Sequence, residues 1–307
     1  MTSSNSDTSL APSPTLVTET IEGSTSPRIA EPYLVILSGH ERGKHFKLKK
    51  QQNIFGRSEE VDIVISDPKI SRTHGVFTVY QGHILFEDLQ STNGTFLGGE
   101  RIVKRWLGSL DRLSAGDTTM RIDYKCPTEA QSEQALYQAA YTDALTGILN
   151  RGAFMQRAFE EFSLCLRNSH NLTIVMCDVD FFKNINDNHG HLAGDAILKE
   201  LANILNREMR CTDLLARYGG EEFIMLLRET TETDAVAWAE RIRQTVMQHQ
   251  FTYQGQSIPT TISMGVCTRR VTSSDSLPIV IKLADDALYA AKQNGRNRLE
   301  VSCFGMS

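Results

Sequence analysis

Paired cysteines are missing from this sequence of 307 residues. Its six cysteines are residues 126, 165, 177, 211, 267 and 303. They show no C-x-x-C spacing, which argues against a disulfide framework and a thiolate zinc site. No apolar run approaches the roughly 20 residues of a membrane-spanning helix, and the start lacks a signal-peptide pattern. We therefore expect a cytoplasmic protein with reduced thiols and no membrane span.

An excess of positive charge is also missing, because the net charge is -5 and the pI is near 5.9. General attraction to nucleic acid is therefore weak, and DNA binding is not expected. The HExxH zinc motif is absent as well, so His189 and His191 are interpreted as loop histidines. The length and the hydrophobic content of 40% predict two globular domains.

The first segment, residues 1–31, is rich in Ser, Thr and Pro and poor in large apolar residues. Such a composition cannot offset the entropy lost on ordering, so we predict a disordered tail. Thr15, Thr18 and Thr20 are accessible acceptors for a kinase there. Accessible threonines are common in tails, and alone they indicate no function.

Residues 32–125 contain short β-prone runs separated by turn residues. The runs are YLVIL, HFKL, NIFG, DIVI, GVFTVY, HILFEDL, TFL and TTMRIDY. This pattern without helical periodicity predicts an all-β sandwich or barrel. The turn clusters at residues 56–58, 71–74 and 91–95 lie in or beside inter-strand loops, where binding groups of a sandwich usually collect.

Four loop residues offer donors that suit a phosphate and a peptide backbone: Arg57, Ser71, Arg72 and Asn93. The order GRS, SRTH and STNGT resembles the forkhead-associated (FHA) family of phosphothreonine-binding β-sandwiches. The resemblance implies that Arg57, Ser71 and Arg72 hold phosphate, that Asn93 holds the peptide backbone and that His74 braces the loops. A packing module without phosphopeptide is the alternative.

Residues 126–142 predict a connecting helix, with Pro127 and Thr128 at its start. Ala135, Leu136, Ala139 and Ala140 provide an apolar seam. Fewer than three heptads are available, so a dimerising coiled coil is only one reading of this helix.

Residues 143–307 alternate strand and helix patterns and predict an α/β domain with helices over a mainly antiparallel sheet. We predict strands at 172–181, 260–269 and 298–302, and helices at 193–209, 234–249 and 278–295, the last ended by Gly295. A hairpin is predicted between Leu214–Ala216 and Phe223–Leu227, with Gly219 and Gly220 supplying positive φ and close backbone approach.

Carboxylates collect at this hairpin and at the first central strand. Asp178 and Asp180 end the strand, and Glu221 follows the glycines. Carboxylates from adjacent strands suit Mg²⁺ together with substrate phosphates, which implies phosphoryl chemistry. Glu221 and Glu222 are expected on opposite faces of a strand, and so in different tasks.

The surrounding residues suggest a nucleotide. Backbone N–H groups at Phe181 and Phe182, with the ammonium of Lys183, could cradle phosphates. Asn186 and Asp195 could read a base edge, and a carboxylate there favours guanine. Two further residues, Lys292 and Arg296, could point towards phosphates from a helix end, although each of them could equally satisfy the helix C-terminus.

Together these residues resemble the GGDEF diguanylate cyclase family. The matching stretches are DALT (143–146), NR (150–151), DVDFFKNIND (178–187), GD (194–195), RYGGEEF (217–223), SMG (263–265) and AAKQNGRNR (290–298). The resemblance implies a palm-like α/β fold that condenses two GTP into the bacterial second messenger cyclic di-GMP and two pyrophosphates across a homodimer. The signature reads GGEEF here, and Glu for Asp keeps the ligand carboxylate.

Residue roles also follow from the resemblance. Asp178, the Val179 carbonyl and Glu221 would hold Mg²⁺, with Mn²⁺ as an alternative ion. Lys183, Lys292 and Arg296 would hold phosphates, and Asn186 and Asp195 would read guanine. Glu222 would help to deprotonate the attacking 3′-hydroxyl.

An RxxD sequence, Arg210 to Asp213, ends just before the glycines and matches the family's inhibitory site for product. Arg241 is a weaker candidate for the same site. We therefore expect a diguanylate cyclase that is regulated by phosphothreonine recognition and by its product, with the protein's own tail as one candidate phosphopeptide. The alternatives are a catalytically silent GGDEF nucleotide sensor on an FHA scaffold and a phosphoprotein adaptor with incidental cyclase activity.

Overall fold

The structure is a computed structural model that describes residues 30–39, 41–49, 51–109, 111–210 and 212–302. The chain forms two compact units, which divide between Tyr137 and Gln138. The predicted disordered tail and its three threonines lie outside the described residues, apart from the last two tail positions. Among the described residues, none of the helices is long and apolar enough to cross a membrane.

The N-terminal unit is built from short strands. Within its described residues these are β1 (Glu31–Ile36), β2 (His45–Lys47), β3 (Gln52–Gly56), β4 (Ile63–Val64), β5 (Gly75–Tyr80), β6 (His83–Asp88), β7 (Thr95–Leu97), β8 (Glu100–Ile102), β9 (Lys104–Leu107), β10 (Arg112–Ala115) and β11 (Thr118–Lys125). They form two sheets, in the orders β2-β1-β11-β10-β7-β8 and β4-β3-β5-β6-β9. The predicted all-β architecture is confirmed.

A single apolar cluster joins the two sheets of this unit. Phe55, Phe77 and Phe86 are fully buried in it, and their rings pack in tilted pairs with centroids 5.4–6.2 Å apart. Strands β8, β9 and β10 were not predicted from the sequence. These strands are three or four residues long and carry charged residues on exposed positions, so their apolar signal is weak.

Helix α1 (Pro127–Tyr141) follows β11 and confirms the predicted connecting helix. The Cys126 N–H donates to Glu129 Oε2 at 3.2 Å, which satisfies a donor at the helix start. The predicted apolar seam is exposed, and 71% of Leu136 is accessible.

The second unit begins in the last turn of α1 and alternates helices with strands. Its described elements are β12 (Leu149–Asn150), α2 (Arg151–Asn168), β13 (Asn171–Val179), α3 (Phe182–His189), α4 (His191–Arg207), β14 (Leu214–Arg217), β15 (Glu222–Arg228), α5 (Glu232–Gln248), β16 (Thr252–Tyr253), β17 (Gln256–Ser257), β18 (Ile262–Arg270), α6 (Leu277–Gln293) and β19 (Leu299–Val301). The main sheet has the order β12-β14-β15-β13-β18-β19. Its three central pairings are antiparallel and its two edge pairings are parallel, so the prediction of a mainly antiparallel sheet is confirmed.

Helices cover both faces of this sheet. Residues of α4 and α5 pack on one face and residues of α2 and α6 on the other, in two apolar clusters. Helix α6 lies so close to β18 that a Cβ at Gly265 would overlap the Ala284 carbonyl oxygen. The central strand β13 is therefore buried from both sides.

The structure corrects several local predictions. Helix α2 was missed, although Asn150 caps it by accepting the Ala153 N–H at 2.9 Å and buried residues recur through it. His189 and His191 are not in a loop, because they end α3 and begin α4. Helix α6 ends at Gln293, two residues before Gly295. Strand β13 ends at Val179 and does not reach Phe181.

The hairpin of β14 and β15 is confirmed, and Leu214 to Arg217 pair with Leu226 to Phe223. The predicted conformation of its glycines is wrong, because neither Gly219 nor Gly220 has a positive φ. A Cβ at Gly219 would overlap the Glu222 carboxylate. Gly219 therefore makes room for a side chain, and a left-handed turn is not what requires it.

Candidate functional site

Acidic residues meet where β13 and β15 lie side by side. Asp178, the penultimate residue of β13, is opposite Glu222, the first residue of β15. Glu221 precedes β15, and its carbonyl accepts the Val179 N–H at 3.4 Å. Asp178 is only 4% exposed, and its Oδ2 lies 2.8 Å from Lys292 Nζ. The pairing of the two strands therefore brings the predicted metal ligands together.

Burial raises the pKa of Asp178 to about 6, even though Lys292 lowers it; Glu221 and Glu222 raise it further. Burial also raises the pKa of Glu221, against the effect of Lys292. Both shifts mean that the positive charge of Lys292 does not offset the cost of burying the ionised carboxylates in the protein alone. Binding a cation would relieve this cost, and carboxylate and carbonyl oxygens are the donors that Mg²⁺ prefers. The residues present therefore fit a divalent ion.

The fit rests on two carboxylates and a backbone carbonyl. Among the described residues there is no group of three or more His, Cys, Asp or Glu side chains placed to hold a metal ion. A site with two protein acids leaves coordination positions for water and substrate phosphates, as Mg²⁺ sites commonly do.

The segment after β13 carries the predicted phosphate-binding residues. Phe181 adopts a left-handed conformation with φ 55° and its ring is 58% exposed. The guanidinium of Arg296 lies over that ring, 4.5 Å from the centroid. Lys183 is exposed in the first turn of α3. Phe182 is buried in the core, so only its backbone is available to a ligand.

Asn186 and Asp195 lie on the adjacent helices α3 and α4. Asn186 Oδ1 is buried and has no hydrogen-bond partner. It faces Gly194, where a Cβ would overlap that oxygen. A buried acceptor without a donor is costly, and the edge of a base that presents N–H groups would satisfy it. Asp195 is half-buried one residue beyond Gly194.

Arg217 and Asp143, which belong to the stretches that match the family, hold the turn at Gly219 and Gly220. Arg217 Nη2 donates to the Gly220 carbonyl at 2.6 Å, and its Nη1 donates to Asp143 Oδ1 at 3.2 Å. Burial opposes ionisation of Asp143, but hydrogen bonds from Thr146 and the charge of Arg217 lower its pKa overall. The signal in the sequence was an arginine two residues before the Gly-Gly pair, close enough to donate to a carbonyl of the turn.

Glu222 also lines an open cleft of about 470 Å³ on the face covered by α2 and α6. The other lining residues are Arg151, Met155, Met176, Tyr218, Pro278, Ile281, Lys282 and Asp285. The guanidinium of Arg151 lies 4.4 Å from the centre of the Tyr218 ring. Glu222 is therefore reachable from solvent beside the buried Asp178.

The predicted inhibitory residues are placed differently from one another. Arg210 is exposed, whereas Asp213 is 5% exposed. Asp213 accepts the backbone N–H groups of Arg210 at 3.0 Å and Arg228 at 3.2 Å. Arg241 binds the Glu208 carboxylate at 3.0 Å. In this conformation Asp213 stabilises the turn before β14, and Arg210 offers the exposed guanidinium.

The N-terminal unit places its four predicted phosphopeptide residues on neighbouring loops. Backbone hydrogen bonds from Arg57 N to Ser71 O at 3.0 Å and from Ser58 N to Arg72 O at 3.2 Å join two of the loops. The side chains of Arg57 and Arg72 are exposed. Asn93 Nδ2 donates to the Lys69 carbonyl at 2.7 Å. Two exposed guanidinium groups therefore lie on loops that are hydrogen-bonded to each other.

His74 braces these loops, as predicted. It is fully buried, accepts the Ser71 N–H on Nδ1 at 3.1 Å, and shares a hydrogen bond with Thr95 Oγ1 through Nε2 at 3.1 Å. Burial lowers its pKa, although Asp88 opposes the shift. This arrangement fits a neutral imidazole with its proton on Nε2.

Comparison with protein families finds a match in each unit. The family described as "Diguanylate cyclase, GGDEF domain" matches residues 140–298. The family described as "Inner membrane component of T3SS, cytoplasmic domain" matches residues 35–125. The first match covers just over half of the chain and contains every residue of the acidic site.

Two curated proteins with similar sequences are named as diguanylate cyclases. "Diguanylate cyclase A" of Treponema denticola is 49% identical over 43% of this chain and 35% of its own length. "Diguanylate cyclase DgcP" of Pseudomonas aeruginosa is 39% identical over 54% of this chain and 24% of its own length. The chain thus spans about a third of the first relative and about a quarter of the second.

Among solved structures, the second unit resembles the coiled coil and GGDEF domain of DgcB from Caulobacter crescentus in complex with c-di-GMP. That structure has a TM-score of 0.54 and 28% sequence identity, and the match covers 57% of this chain and 92% of that one.

Proposed function

The chain belongs to the GGDEF family of diguanylate cyclases, and we propose that it condenses two GTP molecules into cyclic di-GMP and two pyrophosphates. The observation that carries the proposal is the ion pair between the buried Asp178 and the half-buried Lys292, beside Glu221, with the pKa of both acids raised. Such a site favours the state in which a cation with phosphate ligands binds the carboxylates over the state in which the carboxylates are ionised and unbound. The names of the two curated relatives support the same reaction.

Asp178, the Val179 carbonyl and Glu221 would hold the divalent ion, which is Mg²⁺ in this proposal, with Mn²⁺ as an alternative. When bound, the ion neutralises phosphate charge and favours ionisation of the attacking hydroxyl. Lys292 would leave Asp178 as the cation arrives and turn its ammonium towards the phosphates. Glu222, which is reachable from the cleft, would accept the proton of the 3′-hydroxyl.

Nucleotide selection falls to Asn186 and Asp195. The unsatisfied Asn186 Oδ1 and the neighbouring carboxylate would both accept hydrogen bonds from the guanine edge, which presents adjacent N–H donors. Lys183, Arg296 and the backbone amides at Phe181 and Phe182 would hold the triphosphate. Adenine lacks the adjacent donors and would leave these acceptors unpaired.

Ring closure needs two GTP molecules, and each copy of the chain supplies one acidic site, so the active form would be a homodimer. Product would bind at Arg210, with Asp213 and Arg241 completing the inhibitory site. Because both oxygens of Asp213 already accept backbone N–H groups, the exposed guanidinium of Arg210 would provide the main contact with the product's guanine.

For the N-terminal unit we propose an FHA-type role, the recognition of a phosphothreonine peptide. Two exposed guanidinium groups, Arg57 and Arg72, on loops joined by backbone hydrogen bonds suit a doubly charged phosphate. Ser71 and Asn93 would complete the site. Phosphopeptide binding would then regulate the cyclase, and the protein's own tail threonines are one candidate source of the peptide.

The cyclase proposal is tested with purified full-length protein, GTP and Mg²⁺, by measuring cyclic di-GMP. We expect product from the wild type and a loss of at least about a hundredfold in Glu222→Gln, the usual scale for a general base. Glu229→Gln is the matched control, because Glu229 follows the other end of β15 and is exposed. GTP binding without product from the dimeric wild type would favour a silent nucleotide sensor instead.

Phosphothreonine recognition is tested by titrating the protein with phosphothreonine peptide libraries and their unphosphorylated forms. Binding should require the phosphate and be lost in Arg57→Ala and Arg72→Ala. Arg105→Ala, an exposed arginine of β9, should bind normally. Equal binding of both peptide forms would refute this role.

A further inference from the structure

Asp180 is a buried carboxylate that none of the roles above uses. It is 4% exposed and accepts three hydrogen bonds. Thr261 Oγ1 donates at 2.7 Å, Ser263 Oγ at 2.6 Å and the Asn297 N–H at 2.9 Å. Its own N–H donates to the Thr261 carbonyl at 2.9 Å. These partners come from β18, from the residue directly before it and from the turn between α6 and β19, 81 to 117 residues away in sequence.

The turn that Asp180 holds has an uncommon backbone. Arg296 and Asn297 are consecutive non-glycine residues with positive φ, 61° and 45°. Such residues persist only where surrounding contacts over-determine them. Arg243 supplies further contacts from α5, because its Nη1 donates to Asn297 Oδ1 at 2.6 Å and to the Asn297 carbonyl at 3.2 Å. Asn297 is thus held through its N–H, its carbonyl and its side chain.

The same contacts fix both halves of the cation–π pair. Phe181 directly follows Asp180 and also has a positive φ of 55°. Arg296 directly precedes the residue whose N–H binds the Asp180 carboxylate. One buried side chain therefore connects the segment that bears the ring with the turn that bears the guanidinium lying 4.5 Å above it.

We infer that Asp180 is a positioning residue, which sets the guanidinium of Arg296 over Phe181 to bind the triphosphate and touches no substrate atom itself. The inference rests on the proposed binding of GTP at this site. A carboxylate suits the role because it only accepts hydrogen bonds, and all three groups around it donate. An amide of the same shape would lose the negative charge that strengthens these hydrogen bonds and would leave a single acceptor oxygen for them.

The test is the variant Asp180→Asn, compared with Arg296→Ala and with the double variant. GTP affinity and the steady-state constants are measured on full-length protein with Mg²⁺. Asp180→Asn should raise the GTP dissociation constant and KM about tenfold, the scale of one charge-assisted hydrogen bond, and leave kcat within about threefold. Arg296→Ala should have a similar effect, and the double variant should add nothing to it.

Amide hydrogen exchange gives a readout that does not depend on nucleotide. The Asn297 N–H should exchange faster in Asp180→Asn and keep its protection in Arg296→Ala. Thr268→Val is the matched control. Thr268 also lies on β18, but its hydroxyl is hydrogen-bonded to that of Thr173 on β13, away from the turn. It should leave both the exchange at Asn297 and the GTP affinity unchanged.

If Asp180→Asn does not fold, Arg243→Gln loosens the same turn from α5 and should raise KM in the same direction, again without adding to Arg296→Ala. Unchanged GTP affinity in these variants, or additive effects with Arg296→Ala, would overturn the inference. If the wild type binds GTP but makes no cyclic di-GMP, the proposed reaction fails and the positioning role is still decided by affinity and exchange. A wild type that does not bind GTP overturns both.

Discussion

Replacing Asp178 by asparagine should stabilise the metal-free protein at pH 8, although it removes a proposed metal ligand. Burial and two neighbouring acids raise the pKa of Asp178 from 3.8 to about 6. An acid whose pKa is raised by folding contributes stability that is present below pH 3.8 and is lost as the pH rises through 6. The shift of roughly two units, at about 1.4 kcal/mol each, corresponds to roughly 3 kcal/mol.

This figure already includes the ion pair with Lys292, which lowers the pKa of Asp178, so loss of that pair in Asp178→Asn is not subtracted again. The expected gain at pH 8 is therefore at most roughly 3 kcal/mol. The gain should shrink as the pH falls below 6, because Asp178 in the wild type takes up a proton there. Mg²⁺ should stabilise the wild type, by about 1.4 kcal/mol at ten times its Kd, and should not stabilise the variant.

The measurement is denaturant unfolding in chelator at pH 5 and pH 8, followed by Trp238 fluorescence in a Trp106→Phe background, which reports the second unit alone. Asp275→Asn is the control of opposite sign. Asp275 is 7% exposed and bonded to Arg269; burial opposes its ionisation, but Thr272 and Arg269 lower its pKa overall. Its variant should be less stable at pH 8. A destabilised Asp178→Asn at pH 8 would refute the reasoning, because the ion pair would then outweigh burial.

Three further changes have defined outcomes. Gly265→Ala should destabilise the second unit by about 3 kcal/mol or more in denaturant unfolding, because the new Cβ would overlap the backbone of α6. Gly56→Ala should destabilise the N-terminal unit by about 1–3 kcal/mol and weaken phosphopeptide binding, because its Cβ would overlap the Arg72 carbonyl. Burial lowers the pKa of both His45 and His74. The N-terminal unit should therefore be most stable above pH 6.5, where both imidazoles are neutral. Its free energy of unfolding should fall at lower pH by up to about 1.4 kcal/mol per pH unit for each histidine. Unfolding midpoints at pH 7 and pH 5.5, followed by the tryptophan of that unit, measure this loss.

The elements predicted from sequence are those with strong local patterns. The apolar run of β13 and the helical spacing of α4, α5 and α6 depend on residues close in sequence, so each was located within a few positions. Helix α2 has the same kind of pattern and could have been found from Asn150 as its cap and from the spacing of Phe154, Ala158 and Phe162. The short strands β8 to β10 depend on pairing across the sheet, which local sequence does not reveal.

The adjacency of the two acidic strands was predicted and is confirmed, whereas the contacts of individual side chains were not predicted. Lys292 was expected to face phosphates, and in the protein alone it forms an ion pair with Asp178, which is 114 positions away in sequence. Asp213 was expected to accept from a ligand, and it accepts two backbone N–H groups. Such pairings depend on which strand lies beside which, and this is settled by the whole fold and not by the motif.

Several residues that break local rules lie around one end of β13, and their shared position argues for a common cause there. Phe181, Arg296 and Asn297 hold positive φ without being glycine, Asn186 keeps a buried oxygen unpaired, and Asp178 keeps a carboxylate where burial disfavours its charge. Each of these features costs stability in the protein alone. A bound cation would compensate Asp178 and a bound base would pair Asn186, whereas the left-handed backbone would still need Asp180 and Arg243 to hold it. The end of β13 is therefore preorganised for a charged, hydrogen-bonding ligand, and its backbone geometry depends on buried residues that the ligand never meets.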